Sequence, residues 1–402
     1  MTVNRSVPRV PDRSGSTGSG VRLPHIGSDL DEPCRVRPPV GEDLDPRLTT
    51  GDQRRNGELV ATINDVADQA RVTPSVVSRL LNGDPRLRIR PATEQRILAA
   101  VKRLNYRPNA AARSLRLART STLGLVMHDI TNPIYGEIML GAQKAATEAG
   151  YALLLGDADA LARSEEAVRH LISEQRIDGL LLQRSTYASD RLITQLVPDG
   201  FPVVLINDKT RGRFSSVTLD DQAGAALATR HLLELGHTRI AHIGVGSSHR
   251  SAQRRLAYLA TLRSAGIAIR DEWIVDGGSR ADSGRSGMRA LLDTHPRPTA
   301  VFVANLSAAV GVLRMTLESG CSVPDDMSIV ALHEAWFAEQ LTPPLTTVRM
   351  PLAEMGRAAV VQLLGQLNGQ PERQLATTDP EPILIRRASS GPPRRLVSVE
   401  AV

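Results

Sequence analysis

The chain is poor in cysteine and in aromatic residues, and it has no long apolar run. Its 402 residues include only 2 cysteines, Cys34 and Cys321, which lie far apart. This argues against a disulfide framework and fits a reducing compartment, so we expect a cytoplasmic protein. An uninterrupted apolar stretch of about 18 residues is absent, and so is a signal-peptide pattern. We therefore expect neither membrane insertion nor export.

Patterns that carry enzyme chemistry are also missing. The 9 histidines are scattered, no serine follows the nucleophile-elbow pattern, and no pair of potential metal ligands has the usual spacing. We therefore expect no catalytic residues, no metal and no cofactor. Aromatic residues make up only 3% of the chain, but a hydrophobic fraction of 41% is enough to fill the cores of two or three compact units.

The most informative stretch runs from residue 62 to residue 83 and has the pattern of two short helices joined by a tight turn. The first helix is predicted to begin with Thr62 as N-cap and Asp65 three residues later. The second is predicted to begin with Thr73 as cap and Pro74 at the first helical position, and to stop at Gly83. This pattern indicates a helix-turn-helix. The alternative is a helical hairpin that only packs.

Positive charge is concentrated around this motif. Residues 59–119 contain 12 Lys or Arg and 4 Asp or Glu, a net charge of +8, whereas the whole chain carries only +6. A merely solvated surface would mix both signs. The concentration of one sign on a small helical unit favours nucleic-acid binding over a packing hairpin.

Residues 1–58 differ in composition from the rest of the chain. They are rich in Pro, Gly, Ser, Asp and Arg, and they contain 9 basic and 9 acidic residues. Such a segment buries too little apolar surface to offset the entropy lost on ordering, which predicts a disordered extension. Two alternatives remain: an over-long start assignment, or an arm that touches DNA, which the zero net charge disfavours.

Beyond residue 119, short apolar runs alternate with Ala-rich helical patterns. This alternation predicts an α/β fold of parallel sheets, and the number of strands fits two doubly wound subdomains. Ligands of such sheets bind outside the carboxyl ends of the strands. The predicted strands are Leu123–Met127, Ala152–Leu155, Gly179–Leu182, Val203–Ile206, Ser216–Leu219, Ile240–Gly244, Trp273–Val275, Ala300–Val303, Ile329–Leu332 and Thr346–Arg349. The predicted helices include Tyr135–Ala149, Glu165–Gln175, Gln222–Leu235, Arg254–Ala265, Gly284–Leu292 and Ser307–Ser319.

Several short motifs follow one another along the chain. They are Asp65-Val-Ala-x-x-Ala70, Val77-Ser-Arg-x-Leu-Asn-Gly83, Tyr106-x-Pro-Asn-x-x-Ala-Arg-Ser-Leu115, Thr122-Leu-Gly-Leu-Val126, Asp129-Ile-Thr-Asn-Pro133, Asp178-Gly-Leu180, His231-Leu-x-x-Leu-Gly-His237, Asn305 and Leu341-Thr-Pro-Pro-Leu-Thr-Thr-Val348. In this order and spacing the chain resembles the lac repressor (LacI/GalR) family of bacterial transcription regulators, from about Thr62 to Arg387.

The resemblance implies a division into domains. After the extension (1–58) it implies an all-α helix-turn-helix head (59–107), a hinge helix or linker (108–119) and a core like that of periplasmic binding proteins (120–387). A flexible C-terminal tail (388–402) would follow. Within the core, the chain would cross between the two subdomains near Leu219, near Leu341–Val348 and near Pro371–Pro382.

The resemblance also implies DNA contacts. Pro74, Ser75 and Arg79 match the family's base readers, and Arg79 is the strongest, because a guanidinium can bind guanine O6 and N7 together. The alternative for Arg79 is a phosphate contact. Leu115 matches the hinge leucine that wedges into the minor groove, and Leu117 is the competing candidate. The other predicted contacts are Thr62, Thr73, Ser78, Asn82, Arg86, Arg88, Tyr106, Asn109 and Arg113.

Two features of the head depart from the family. Arg71 occupies a turn position where the family usually has Gly or Asn, which implies either a left-handed backbone or a different turn. The loop after Gly83 is about two residues longer than the common form, and Arg86, Arg88 and Arg90 load it with charge that attracts phosphates.

The predicted effector site also departs from the family. Arg254 falls at the ligand arginine and Asn305 is kept, but Leu306 and His333 stand where carboxylates are usual, and Ser279 replaces a common aromatic residue. These changes disfavour a neutral sugar and favour a polar or anionic effector. The alternative is a pocket that binds no small molecule or responds to a partner protein. The predicted effector residues are Tyr135, Gln183, Arg254, Ser279, Asn305 and His333, with Arg184, Asp220 and Asp221 as plausible lining.

These expectations combine into one function. We expect a dimeric, or tetrameric, repressor that binds a pseudo-palindromic operator in double-stranded DNA and is controlled by a small molecule held between the core subdomains. The alternative is a solute-binding protein of a transporter, which shares the core fold. The basic head and the missing export signal count against that alternative.

Overall fold

A computed structural model describes residues 54–55, 58–59, 61–107, 119–130, 132–158, 172, 176–183, 197–208, 214–246 and 248–394. The chain forms two units, one ending at Tyr106 and the other beginning at Arg107. None of the helices in the described part of the chain has the length and apolar character needed to cross a membrane. Most of the predicted helix Glu165–Gln175 and the residues Asn109, Arg113, Leu115, Leu117 and Arg184 lie outside the described residues.

Three helices form the described part of the head: α1 (Ile63–Ala70), α2 (Pro74–Leu81) and α3 (Pro91–Arg103). The predicted start of α1 is confirmed: the Asp65 N–H donates to Thr62 Oγ1, and the Thr62 N–H donates to the Asp65 carboxylate at 2.6 Å. Apolar faces of the three helices pack into one small core. Its buried members are Val66, Ala67, Ala70, Val77, Ile97 and Ala100.

The turn between α1 and α2 contains a left-handed residue. Arg71 has φ of 52° and ψ of 54°, so the first of the two outcomes that the sequence left open is the one observed. A side chain meets some strain in this conformation. The N–H groups of Arg71 and Val72 offset it by donating to the carbonyls of Asp68 and Ala67 at 3.2 and 3.0 Å. These two hydrogen bonds therefore connect the residues after α1 to the last turn of that helix.

Two short strands pair antiparallel ahead of the head: β1 (Arg54–Arg55) and β2 (Glu58–Leu59). Residues 54, 55 and 58 of the predicted extension are therefore paired, and disorder of residues 1–58 stays a prediction. Residues 1–53 lie outside the described part of the chain.

The N-terminal subdomain of the core is built on a six-stranded parallel sheet. Its strands are β3 (Thr122–Met127), β4 (Ala152–Asp157), β5 (Gly179–Leu182), β6 (Val203–Ile206), β7 (Ser215–Leu219) and β13 (Gln374–Thr377). Their order across the sheet is β13-β7-β6-β5-β3-β4. Helices α4 (Tyr135–Glu148) and α9 (Leu352–Leu367) pack on this sheet and against each other.

The C-terminal subdomain has a second six-stranded sheet. Its strands are β8 (Ile240–Gly244), β9 (Ile274–Asp276), β10 (Ala300–Val303), β11 (Ser328–Leu332), β12 (Thr346–Arg349) and β14 (Ile383–Ile385), in the order β14-β12-β11-β10-β8-β9. Helix α5 (Asp221–Glu234) leads from β7 into this sheet, and helices α6 (His249–Ser264), α7 (Ala281–Leu292) and α8 (Leu306–Glu318) connect its strands. The predicted fold class is confirmed, although β14 runs antiparallel to β12.

The chain passes between the two subdomains three times. It first leaves the N-terminal sheet after Leu219, as predicted. The second passage lies between Arg349 and Leu352, just beyond the predicted segment, because β12 still belongs to the C-terminal sheet. The third lies between Thr377 and Ile383, within the predicted segment.

The C-terminal segment is more ordered than predicted. The expectation of a flexible tail from residue 388 is wrong for residues 388–394, which pack on the C-terminal sheet. Ser389 is completely buried; its N–H donates to the Pro344 carbonyl at 2.9 Å, and its own carbonyl accepts the Ile329 N–H at 2.7 Å. Such pairing satisfies backbone groups that would otherwise be left unpaired. Residues 395–402 are not among those described.

Helices α4 and α9 approach each other closely at two glycines. A Cβ at Gly141 would overlap the carbonyl of Ala353, and a Cβ at Gly356 would overlap the carbonyl of Ile138. Only a residue without a side chain allows the two backbones to come this close. The contact fastens α9, which follows the second passage, onto the N-terminal subdomain.

Candidate DNA interface and effector cleft

The front of α2 presents exposed polar groups. Thr73 occupies the N-cap position, as predicted, but its side chain makes no capping hydrogen bond. Thr73, Pro74 and Ser75 are all exposed. This is the end of a recognition helix that faces base edges in helix-turn-helix proteins. The geometry leaves these three side chains available for the contacts that the sequence predicts.

Arg79 lies in the last turn of α2 and forms an ion pair that the sequence analysis missed. Its Nε donates to Asp84 Oδ2 at 2.7 Å. The hydrogen bond from Arg79 lowers the pKa of Asp84, and the N–H of Arg86 lowers it further. Within the described head, the terminal nitrogens of Arg79 make no other hydrogen bond. The bidentate face of the guanidinium is therefore open.

The other predicted DNA contacts in the head fall into two groups. Arg86 and Arg88 are exposed in the loop between α2 and α3. Three others already have intramolecular roles: Thr62 caps α1, Asn82 Nδ2 donates to the Ser78 carbonyl at 2.6 Å, and Tyr106 packs half-buried against the core of the head. Burial raises the pKa of the Tyr106 hydroxyl. For all of these residues a DNA contact stays a prediction.

A cleft of about 660 Å³ lies between the two subdomains of the core. Residues that directly follow strands line it from both sides, among them His128 after β3, Gln183 after β5, Asn305 after β10 and His333 after β11. Parallel sheets expose the carboxyl ends of their strands in this way. The six residues predicted to bind an effector all line the cleft: Tyr135, Gln183, Arg254, Ser279, Asn305 and His333.

Arg254 is buried at the base of this cleft, and most of its donors are already used. Its guanidinium contacts the Asp221 carboxylate at 2.7 Å, Nη1 donates to the Ala304 carbonyl at 2.7 Å, and Nη2 lies 3.0 Å from His333 Nε2. Most donors of Arg254, the residue that the resemblance places at the ligand, are therefore not free to bind one. The carboxylate that pairs with Arg254 is that of Asp221.

His333 is held in one tautomer by Arg254. Because Arg254 Nη2 donates to Nε2, the neutral ring carries its proton on Nδ1. Burial lowers the pKa of His333 well below its usual range, and the nearby Arg254 and Arg250 lower it further. The His333 ring, which accepts from Arg254, is therefore neutral and adds no positive charge to the cleft. Its Nδ1–H is buried and has no partner among the described residues.

Asn305 and Leu306 serve the start of α8. The side-chain Oδ1 of Asn305 accepts the N–H groups of Ser307 and Ala308 at 2.9 and 3.3 Å, which caps the helix. Leu306 is completely buried in the core rather than placed in the cleft. At position 306 the chain therefore has a buried apolar side chain where the family usually has a carboxylate.

Arg250 is one of the cleft residues that the sequence analysis missed. It lines the cleft and, among the described residues, makes no hydrogen bond or ion pair. It precedes Arg254 by four positions on α6, so the two side chains share one face of the helix. The four-residue spacing between Arg250 and Arg254 is the sequence feature that could have identified Arg250 as a cleft residue. Within the described chain, no three His, Cys, Asp or Glu residues form a group that could hold a metal ion.

Two polar contacts join the subdomains across the mouth of the cleft. Arg280 Nη2 lies 3.3 Å from Asp129 Oδ2, and Ser307 Oγ donates to Asn132 Oδ1 at 3.0 Å. Asp129 and Asn132 follow β3 in the N-terminal subdomain, whereas Arg280 and Ser307 belong to the C-terminal one. The contacts hold the two rims together in this arrangement.

The loop after β8 is a turn rather than an anion cradle. The Gly246 N–H donates to Asp276 Oδ1 at 2.5 Å and the Val245 N–H donates to Ser251 Oγ at 3.2 Å. Ser248 caps α6 through the Ser251 N–H. These N–H groups are therefore used within the protein and are not available to an anion.

Comparisons with known families agree with this geometry. Residues 62–109 match the family described as bacterial regulatory proteins, lacI family, and residues 229–390 match the periplasmic binding protein-like domain. The "Ribose operon repressor" of Escherichia coli strain K12 is 36% identical over 338 residues, which cover 82% of this chain and 100% of the relative. The chain belongs to the LacI family.

Other relatives of this LacI-family protein are also regulators. The "HTH-type transcriptional repressor PurR" of Erwinia tasmaniensis is 35% identical over 334 residues, 82% of this chain and 97% of that protein. These names confirm the prediction of a DNA-binding transcriptional regulator rather than an enzyme.

Solved structures show the same fold. The lac repressor dimer bound to operator and the anti-inducer ONPF has a TM-score of 0.69 at 25% identity, with 82% of this chain and 99% of that chain covered. A complex of the transcriptional regulator CelR with cellobiose has a TM-score of 0.62 at 31% identity, over 82% and 99% of the two chains.

The buried contacts of Arg254 predict a stability difference between two arginine variants. Arg254→Ala leaves the Asp221 carboxylate buried without its partner, so we expect the free energy of unfolding to fall by about 3–5 kcal/mol. Arg314→Ala removes a solvent-exposed partner of Glu318 and should change stability little. Urea unfolding followed by circular dichroism measures both. Equal midpoints for the two variants would contradict the assigned role of Arg254.

Proposed function

We propose that this LacI-family regulator represses transcription in the cytoplasm by binding a pseudo-palindromic operator as a homodimer. The observation that carries the proposal is the exposed front of α2 together with the open guanidinium of Arg79. A single head makes few base contacts, and symmetric proteins reach useful affinity on two symmetric half-sites. The operator complex of the structurally similar lac repressor, described as a dimer, supports this arrangement. A tetramer is compatible with the same half-sites.

The heads would divide their contacts between bases and phosphates. Arg79 presents two parallel donors, which match guanine O6 and N7. Arg86 and Arg88 are exposed on a loop, where charge attracts phosphates without reading sequence. Thr73, Pro74 and Ser75 at the front of α2 supply the remaining contacts in the groove.

We further propose that a small polar or anionic effector binds in the cleft and shifts the arrangement of the subdomains. Arg250 brings a positive charge that no described residue neutralises, and the buried Nδ1–H of His333 requires an oxygen acceptor. The relative CelR is described with cellobiose, a neutral sugar. In this chain the cleft has Ser279 in place of a stacking ring. An effector acts only if it favours one arrangement over the other.

Two variants of the head test the division between base readers and phosphate contacts. Arg79→Ala should weaken operator binding by about 1–3 kcal/mol, mainly through lost discrimination between base pairs. Arg88→Ala should weaken binding to all sequences about equally and reduce the salt dependence by about one counterion per half-site. Fluorescence anisotropy on operator variants over a range of salt concentrations measures both effects. The same profile for the two variants would contradict the proposal.

Matched ligand pairs test the effector class. We expect glucose 6-phosphate or ribose 5-phosphate to raise the unfolding temperature more than glucose or ribose does. An anion present at about 100 times its Kd should stabilise the protein by about 2.7 kcal/mol. Arg250→Gln should abolish the advantage of the phosphates, whereas Arg314→Gln, remote from the cleft lining, should keep it.

Two results would contradict this part of the proposal. One is stabilisation by a neutral sugar that equals that of its phosphate ester. The other is an advantage of the phosphate that survives Arg250→Gln. If none of these compounds nor a set of small organic acids shifts the unfolding temperature, the cleft is not a site for small polar anions.

A further inference from the structure

The C-terminus of α2 has a specific geometry that fixes the residue after Gly83. Gly83 has φ of 65°, and its N–H donates to the Leu80 carbonyl at 3.0 Å. The Asp84 N–H donates to the Arg79 carbonyl at 3.0 Å. Together these two bonds form a Schellman motif, in which the residue after the left-handed glycine lies beside the helical residue five positions earlier. The backbone therefore brings Asp84 next to Arg79.

The side chain of Asp84 is fixed by a second set of bonds. Its Oδ1 accepts the Arg86 N–H at 2.8 Å, and its carbonyl accepts the Leu87 N–H at 3.0 Å. This bond between Asp84 and Leu87 closes a four-residue β-turn. Asp at the first position of such a turn and Pro, here Pro85, at the second are favoured. With Oδ1 engaged, Oδ2 faces Arg79 and accepts its Nε–H at 2.7 Å. The carboxylate is anchored to the backbone before it contacts the guanidinium.

A bond to Nε restricts the guanidinium without occupying its outer edge. The guanidinium is planar, so the bond at Nε, together with the attachment of the side chain to α2, restricts the plane in which the Nη1 and Nη2 donors lie. These two nitrogens make no other contact in the described head. An arginine that is already oriented loses less side-chain entropy when it binds a base edge.

We propose that Asp84 is a positioning residue for sequence reading, which holds Arg79 in the orientation for bidentate contact with guanine. This inference rests on the proposed role of Arg79 as a base reader. Asp84 also has an unfavourable effect: a carboxylate beside Arg86 and Arg88 opposes the attraction of this loop for phosphates. If this effect of its charge were the only role of Asp84, the residue would weaken binding to every DNA sequence alike.

Asp84→Asn distinguishes a role of Asp84 in positioning Arg79 from a general effect of its charge. This variant keeps an oxygen for the Arg86 N–H but removes the charge that holds Arg79 Nε. If Asp84 positions Arg79, preference for the base pair that Arg79 reads should fall about tenfold, because a bidentate contact is lost or loosened. Affinity for unrelated DNA should stay the same or rise. If Asp84 acts only through charge, affinity for all sequences should rise together.

The experiment uses the full-length protein and a random-sequence DNA duplex library. The preferred operator of the unmodified protein is first selected from the library, and single base-pair variants of that operator are then compared by competition binding. Asp68→Asn is the matched control, since it removes the same charge from an exposed position of α1 without a contact to Arg79. Thermal unfolding of each variant checks that the head stays folded.

Variants of Arg79 separate the outcomes. If Arg79→Ala leaves every base preference unchanged, Arg79 is not a reader and the proposed function of that residue fails. If Arg79→Ala removes one preference and Asp84→Asn does not, the reader is correct and the positioning role of Asp84 is wrong. In the double variant, Asp84→Asn should cause no additional loss of preference. A further tenfold loss there would also overturn the proposal.

Discussion

The buried guanidinium of Arg254 connects the elements that form the base of the cleft between the core subdomains. It joins Asp221, which begins the helix after the first passage between subdomains, to Ala304 after β10 and to His333 after β11. A cation in this position is tolerated because a carboxylate and two further acceptors surround it. The network sets the tautomer of His333, and it leaves Arg250 as a cation of the cleft lining without an ion pair among the described residues. The chemistry of the cleft therefore follows from a contact beneath its surface.

The head uses the same principle on a smaller scale. In both sites a carboxylate fixes an arginine, Asp221 for Arg254 and Asp84 for Arg79. The consequence differs with burial. The donors of Arg254 are almost all consumed, so that residue shapes the site, whereas the outer edge of Arg79 stays open for binding. Whether an arginine acts as scaffold or as reader depends on how many of its donors the fold already uses.

Much of this arrangement could be predicted from the sequence, and the exceptions have physical causes. Strand runs such as Val203–Ile206 were predicted because buried parallel strands are continuous apolar segments. The edge strands β13 and β14 are short and largely exposed, so they carry no such signal. The sequence did not show that the donors of Arg254 are used within the protein, because its partner Asp221 lies 33 positions away in the sequence. Asp84 was missed because its role comes from a helix cap and a turn acting together.

The most direct test of the account is the stoichiometry and symmetry of the protein on its selected operator. Footprinting of the full-length protein, combined with the mass of the complex from analytical ultracentrifugation, measures both. The account predicts protection of two inverted half-sites centred about one helical turn, or a multiple of it, apart, with two protomers bound. Protection of a single asymmetric half-site by one protomer would contradict it.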